Sequence, residues 1–252
     1  MHYVRFRRGQ NVHFGILDGD IIKILSGSFL DPASKLTEAE VPANQVALLA
    51  PVIPGKIVCV GLNYSKHAAE LAHTVPEDPV IFLKPVTSLA DPAGEIVYPA
   101  MSQRVDYEAE LVAVIGKTLK NASEAEAGAG IFGYTCGNDV TARDLQTKDG
   151  QWTRAKSFDT FCPLGPAVVT DLDPRNLQIR LWLNGSLKQD SNTRYLITPV
   201  AKLVSYISQI MTLNPGDVVM TGTPEGVGPM EPGDEVAVAI QGIGRLINRV
   251  VR

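Results

Sequence analysis

The sequence predicts a β-rich α+β fold, and three observations carry that prediction. Short apolar runs bounded by Gly, Pro, Asn or Asp recur along the whole chain, which is the signature of many short strands. A single stretch, near residue 200, has convincing helical periodicity. Strand follows strand with few helices between, which favours a β-rich α+β fold over a parallel βαβ sheet. The 252 residues can bury a large core, and contents of 45% hydrophobic and 20% charged residues exclude a disordered or fibrous chain.

Taken in order, Val12–Leu17 and Ile21–Leu25 flank Asp18-Gly19-Asp20, a hairpin signal. The polar, proline-bearing stretch 26–54 reads as a linker or a loosely attached helix, and the main boundary is expected there, between a small N-terminal β domain (1–54) and a catalytic domain (55–252). Ile57–Val60 is a short strand running into Gly61-Leu62-Asn63-Tyr64, and Ser65–Ala72 is expected to be helical. Val80–Leu83 and Glu95–Tyr98 are short strands, and Arg104–Ile115 reads as one long strand. Ser123 caps a short helix to Ala129, and Ile131–Asp139 is a strand. Leu177–Leu183 alternates and meets an Asn184-Gly185 turn. In the clear helix Thr198 is the expected cap, Pro199 the first residue, and Val200, Leu203, Val204, Ile207, Ile210 and Met211 share a face. Val218–Thr221, Glu235–Ile240 and Arg245–Val251 complete the strands.

Charge and composition narrow the function. A net charge of -4 and a pI near 5.6, with no basic stripe, argue against nucleic acid and anionic membranes as partners. No apolar run reaches the roughly 20 residues needed to cross a bilayer. The arginines near Met1 are followed by no apolar segment of a secretory signal. Cys59, Cys136 and Cys162 lack metal or redox spacing and read as buried, reduced thiols. A cytoplasmic protein is expected.

The chemistry begins at Val105-Asp106-Tyr107-Glu108-Ala109-Glu110. Residues two apart on a strand share a face, so Glu108 and Glu110 point the same way, and Val112 and Val114 continue that face into apolar surroundings. Asp139 stands at the end of the apolar strand from Ile131. Two like charges 4 Å apart repel by about 4 kcal/mol at an effective dielectric near 20, so three such carboxylates together need a cation or a proton. An all-oxygen set suits Mg²⁺, Mn²⁺ or Ca²⁺ and disfavours zinc. His67 and Glu70, three apart on a helical face, could form an acid–base pair or a surface pair. Arg143 and Asp144 read as a structural ion pair. Lys156, among Trp152, Phe158 and Phe161, either snorkels to water or serves a pocket. Thr221-Gly222-Thr223-Pro224-Glu225-Gly226-Val227-Gly228 permits close backbone approach to a ligand but lacks the spacing of a phosphate loop.

In this order, these motifs resemble the fumarylacetoacetate hydrolase family. The match rests on Gly61 to Tyr64 with His67 and Glu70, Phe82-Leu83-Lys84-Pro85, Asp106 to Leu111, Asn138 to Gln146, Lys156 to Thr160, and Thr221 to Gly228. The resemblance implies a mixed β-sandwich roll, a Mg²⁺ or Mn²⁺ site and a homodimer. It implies metal ligation by Glu108, Glu110 and Asp139, a His67–Glu70 dyad on a lid, a pocket lysine at Lys156, and substrate contacts from Gln146 and Thr223. Family members hydrolyse acylpyruvates, decarboxylate or tautomerise oxaloacetate, or isomerise hydroxy-diene dioates. Acylpyruvase-type members often carry Arg where this chain has Leu62, and 149–166 is most similar to bacterial 2-hydroxyhepta-2,4-diene-1,7-dioate isomerases.

The resulting expectation is an enzyme acting on a small 2-oxo or 2-hydroxy-dienoic acid through a metal-stabilised enolate, as isomerase or C–C bond hydrolase. Counting three carboxylates, a divalent ion and Lys156, the site is about neutral before an anionic substrate enters. A non-catalytic metal–carboxylate binder on the same fold is the rival reading, against which the His67–Glu70 dyad argues. A structural protein with a solvated acidic strand is the third.

Overall fold

The computed structural model describes residues 1–65 and 77–252. Its strands are β1 (His2–Arg8), β2 (Asn11–Asp18), β3 (Ile21–Leu25), β4 (Leu36–Pro42), β5 (Ala47–Leu49), β6 (Ile57–Gly61), β7 (Val80–Lys84), β8 (Leu89–Ala90), β9 (Glu95–Val97), β10 (Val105–Tyr107), β11 (Ala109–Ile115), β12 (Ile131–Asn138), β13 (Thr141–Ala142), β14 (Cys162–Val169), β15 (Gln178–Leu183), β16 (Ser186–Asn192), β17 (Val218–Met220), β18 (Gly228–Met230), β19 (Glu235–Ile240) and β20 (Gly244–Val251). A 12-stranded sheet runs β4-β3-β2-β1-β14-β12-β11-β17-β6-β7, with β5 on β1 and β8 on β14. A five-stranded sheet runs β16-β15-β19-β20-β9, and a small one runs β13-β10-β18. This is the β-rich mixed-sheet roll that the sequence predicts.

The N-terminal hairpin forms as expected. Asp18 pairs with Ile21, and Gly19 takes the positive φ (+59°) that a two-residue turn requires. The stretch 26–54 corrects the expectation of a linker or helix. It holds β4, which pairs with β3, and β5, which pairs with β1, and it buries Phe29, Ala50 and Val52. Strand β4 is a sheet edge with most side chains in water, so it carries no alternation to read. The pairing of β5 is decided by a strand forty residues earlier. β1 also pairs with β14, so the N-terminal strands continue the large sheet.

Strand β11 is the spine of the molecule. Leu111, Ala113 and Ile115 face the core shared with Ile179, Leu181, Val236 and Val238 of the five-stranded sheet. Val112 and Val114 face a second core with Ile57, Cys59, Leu164, Val218 and Met220, closed by Phe29, Ala50 and Val52. Both faces are buried, which explains the continuous apolar run from Leu111 to Ile115.

The long strand expected over 104–115 is interrupted at Glu108. β10 belongs to the small sheet with β13 and β18, whereas β11 belongs to the large one. At the break the Glu108 N–H donates to Asn138 Oδ1 (2.9 Å), and its carbonyl accepts from the Asp139 N–H (2.9 Å). Backbone groups that leave the ladder are thus still satisfied.

Helix α1 (Glu124–Gly130) has the expected Ser123 cap, completed by Glu126 into a capping box. Two short helices, α2 (Arg143–Asp149) and α3 (Thr153–Lys156), follow β13. Helix α4 (Val200–Ile210) buries Val200, Leu203, Val204 and Ile207. Its start corrects the expectation. Pro199, not Thr198, is the cap residue, and no side chain caps the helix. The Thr198 backbone is engaged elsewhere, by both ends of the Asn63 amide. Ile210 also departs from the expected buried face, because the helix ends there and leaves it 53% exposed. The helix expected over 65–72 falls on residues outside the described set, apart from Ser65. Among the described residues no helix is long and apolar enough to cross a membrane.

Lys84, at the end of β7, is a buried clamp. Its ammonium donates to the carbonyls of Val140 (3.1 Å), Lys156 (2.6 Å) and Phe161 (2.9 Å). One side chain therefore fastens three segments that local pairing does not hold together. Removing one partner of such a buried charged cluster leaves the others unsatisfied, so Lys84→Met is expected to cost about 3–5 kcal/mol in urea unfolding. A loss under about 1 kcal/mol would show that the clamp is dispensable.

All three cysteines are free and buried, as expected. Burial raises each thiol, Cys136 and Cys162 to about 12. Such thiols are neutral in the fold at pH 8, and the stability tied to them is lost only as the pH climbs beyond the unfolded thiol value of roughly 8.5. Ellman's reagent at pH 8 should titrate all three thiols in denatured protein and essentially none in native protein. Rapid native reaction of any one would contradict the burial.

Candidate active site

The register of β11 against β12 builds the acidic cluster. Ala109 pairs with Asn138, so Glu108 and Glu110 flank the pairing position while Asp139 lies one residue beyond it. The three carboxylates converge, with one oxygen of each within 4.8 Å of the others, and all three residues are buried. The strand parity read from the sequence therefore survives the break at Glu108.

Cations surround the cluster. Lys156 Nζ lies 2.9 Å from Glu108 Oε2 and 2.7 Å from Asp139 Oδ2. Lys84 Nζ lies 2.7 Å from Asp139 Oδ1, but its N–H bonds go to the three carbonyls, so this oxygen is paired by charge and accepts no hydrogen bond. Arg143 bonds Glu108 Oε1 through Nη2 and Asp106 Oδ2 through Nε (2.8 Å). Arg104, half exposed, holds Asp106 from the other side (2.9 and 3.2 Å). Of the two readings of Lys156, the pocket is correct and snorkelling is not, since the residue is 2% exposed. The Arg143–Asp144 pair is also corrected. Arg143 turns inward to Asp106 and Glu108, while Asp144 accepts from the Ser102 hydroxyl (2.7 Å) and the Gln103 N–H (3.0 Å).

Electrostatics separate the members. Burial works against the Lys156 charge, but Asp139 and Glu108 outweigh it and hold the ammonium above its ordinary value. Burial likewise opposes the Arg143 charge and is outweighed by Glu108 and Asp106. Glu110 differs. Burial first, then Asp139 and Glu108, push its carboxyl well above the usual range, against the Gly222 N–H (2.8 Å) and Lys156. Among the described residues Glu110 is the one carboxylate of the three without an ion pair.

A cavity of about 450 Å³ opens on this cluster, and Glu108, Glu110, Asp139, Arg143, Gln146, Lys156 and Thr223 all line it. Gln146 bonds Arg143 Nη1 (2.5 Å). The apolar wall is Phe82 against Trp152, edge to face at 5.2 Å. Gly61 is required here, because a Cβ would come within 2.6 Å of the Trp152 ring. Leu62, on the rim, sits at φ +57°, a left-handed conformation uncommon for a side chain of its size. Asn63 pins this turn by donating to the carbonyls of Thr198 (3.1 Å) and Thr221 (2.8 Å). His67 and Glu70 lie outside the described residues.

Three participants were given no role in the cavity from the sequence. Asp106 has the same parity as Glu108 and Glu110, a signal present in the i, i+2, i+4 acids. Lys84 is a charge ending an apolar strand, a mismatch that also marks it. Arg143 was assigned to its neighbour instead of to the cavity.

The donor set fits a divalent cation. Three buried carboxylates converge, Asp139 Oδ1 lacks a hydrogen bond, and Glu110 has a raised proton affinity and no ion pair among the described residues. Glu108, Glu110 and Asp139 would hold such an ion, and oxygen ligands alone suit Mg²⁺ or Mn²⁺.

Comparison with known proteins agrees. Residues 56–251 match the family described as fumarylacetoacetate (FAA) hydrolase C-terminal, and residues 1–51 match the family described as Rv2993c-like, N-terminal. The 2-hydroxyhepta-2,4-diene-1,7-dioate isomerase structure from Mycobacterium marinum is 44% identical with a TM-score of 0.93, covering 100% of this chain and 98% of that one. The 5-carboxymethyl-2-hydroxymuconate delta-isomerase structure from Mycobacterium smegmatis is 46% identical with a TM-score of 0.93 over 100% of both chains. A mitochondrial oxaloacetate tautomerase of Rattus norvegicus is 44% identical over 223 residues, which is 84% of this chain and 71% of the relative. With the acidic cluster, the sheet arrangement and the matched length in agreement, this chain belongs to the fumarylacetoacetate hydrolase family.

Proposed function

We propose that the protein is a Mg²⁺- or Mn²⁺-dependent isomerase that shifts a proton on a small 2-oxo or 2-hydroxy-dienoic acid. The observation that carries this reading is the buried Glu108–Glu110–Asp139 cluster opening on a cavity edged by cations. The cavity is sized for a small acid. Its charge also suits an anion. The connected network holds four carboxylates, Asp106, Glu108, Glu110 and Asp139, and four cations, Lys84, Arg104, Arg143 and Lys156. It is formally neutral before any divalent ion binds. The sequence count, with Lys156 as the lone cation, left the loaded site neutral; Lys84 and Arg143 make the loaded site positive.

When bound, the divalent ion supplies Lewis-acid stabilisation of the enolate that develops as a proton leaves C3. Lys156, held charged by two carboxylates, acts as a fixed cation for the substrate and not as a base. Arg143 and Gln146 line the wall that would orient a carboxylate. Phe82 and Trp152 exclude water from one side. His67 is the proposed proton carrier, with Glu70 as the group that would orient it, on the strength of the His-x-x-Glu motif. Leu62 on the rim replaces the guanidinium frequent in acylpyruvase-type members, and the relatives named isomerases and tautomerase share proton transfer in place of C–C cleavage. A panel of 2-oxo and 2-hydroxy-dienoic acids, assayed with Mg²⁺ and Mn²⁺ for isomerised and cleaved products, decides the matter. Cleavage without isomerisation would replace the reading with a hydrolase.

Two further outcomes are expected. Mn²⁺ at about one hundred times its dissociation constant should stabilise the wild-type protein by about 2.7 kcal/mol, and Glu110→Gln should remove most of that gain. No shift in the wild type would eliminate the metal site. In kinetics, His67→Ala should lower kcat by roughly 10²–10⁴-fold with metal affinity little changed, and Glu70→Gln should fall less far. Lys156→Ala should act on substrate or inhibitor affinity. Near-wild-type turnover in both dyad variants would return His67 and Glu70 to the surface-pair reading.

A further inference from the structure

We infer that Gln189 is a positioning residue that sets the hydrogen-bond polarity of Thr223, making its hydroxyl a donor to the cavity. The inference rests on the proposed acid-binding site. Gln189 lies on β16 and is fully buried, remote in sequence from every motif above. Its amide orientation is determined by its neighbours. The Ala109 N–H, a donor, meets Oε1 at 2.9 Å, and the Pro224 carbonyl, an acceptor, meets Nε2 at 2.8 Å. The other Nε2 hydrogen goes to Thr223 Oγ1 at 2.9 Å, with the Glu225 carbonyl a more distant acceptor at 3.5 Å.

A hydroxyl that accepts from an amide keeps its own hydrogen for another partner. Among the described residues the Thr223 hydroxyl donates to no protein acceptor, and Thr223 lines the cavity. The free donor therefore suits a ligand oxygen with lone pairs, a carboxylate or keto oxygen. Its distance from the acidic cluster is fixed at both ends. The Gly222 N–H donates to Glu110 Oε2 (2.8 Å), and Gln189 bonds the backbone of Ala109, between Glu108 and Glu110. Gly226, at φ +93°, lets the loop lie on the β16 backbone, since a Cβ there would come within 2.4 Å of the Lys188 carbonyl.

Removing the amide takes away the donor shared by the Pro224 carbonyl and the Thr223 hydroxyl, and the hydroxyl loses the bond that fixes its direction. Calorimetry of oxalate binding to the Mn²⁺-loaded full chain tests this with a double-mutant cycle. Thr223→Val should weaken oxalate about tenfold or more in the wild-type background, as loss of a hydrogen bond to a charged group does. In the Gln189→Met background the same substitution should cost less than about twofold, with Mn²⁺ affinity within about threefold of wild type. Gln189→Glu, which keeps the bond to Ala109, provides the same cycle should Gln189→Met not fold. A full tenfold loss in both backgrounds would overturn the inference and leave the proposed function standing, because Gln189 would then be general support. Equal oxalate affinity of wild type and Thr223→Val would overturn it too. A wild-type protein that binds Mn²⁺ but not oxalate would remove the acid-binding reading, and this inference with it.

Discussion

Everything at the centre of this protein depends on one buried chain of alternating charge. It runs from Arg104 at the surface through Asp106, Arg143, Glu108, Lys156 and Asp139 to Lys84. Buried ion pairs are weak sources of stability, because desolvation of each charge opposes their attraction. Here the return is positional. Each charge between the two ends has two partners, so moving any of the three paired carboxylates strands a cation, and the geometry is over-determined. Among the described residues Glu110 is the member left out of the pairing. It sits at the cavity with a raised proton affinity, and that imbalance is what makes a further cation fit.

The fold places this chain where three sheets meet. β11 is buried on both faces, and its N-terminal end is where the backbone passes from the small sheet to the large one. A strand inside a sheet cannot offer its side chains to a cavity without displacing core. The break at Glu108 solves this by ending one ladder and starting another, with Asn138 and Asp139 satisfying the freed backbone. The site is therefore a seam between rigid elements, which suits a constellation that must hold its geometry.

The walls divide the work. Lys156 and Arg143 remain charged despite burial because the carboxylates beside them outweigh desolvation. They place fixed positive charges on the wall of a confined volume, where charges act more strongly than in water. Phe82 and Trp152 supply the apolar side, and the Thr221–Gly228 loop supplies a hydroxyl whose direction is set by a buried amide. A small anion with adjacent carboxylate and keto oxygens matches this division.

The sequence by itself determined the strand pattern, the shared face of Glu108 and Glu110, and the place of Asp139 at the end of an apolar run, because each follows from local periodicity, whereas the register of β11 on β12 brings Asp139 beside the glutamates. Side-chain parity along β11 and the end of an apolar run are properties of neighbouring residues, and they hold whatever the rest of the chain does. The buried Lys156 was half legible, as a charge among aromatics with two outcomes open. Only the tertiary structure decided that Lys84 clamps three segments, that Arg143 faces Asp106 and Glu108 and leaves Asp144 to Ser102, that Gln189 reaches Ala109 and Thr223, and that 26–54 forms strands. Each of these is a contact between residues far apart in the chain, or a strand at a sheet edge where water leaves no apolar pattern. Periodicity encodes which face of an element is buried, and it carries no record of which distant group meets that face.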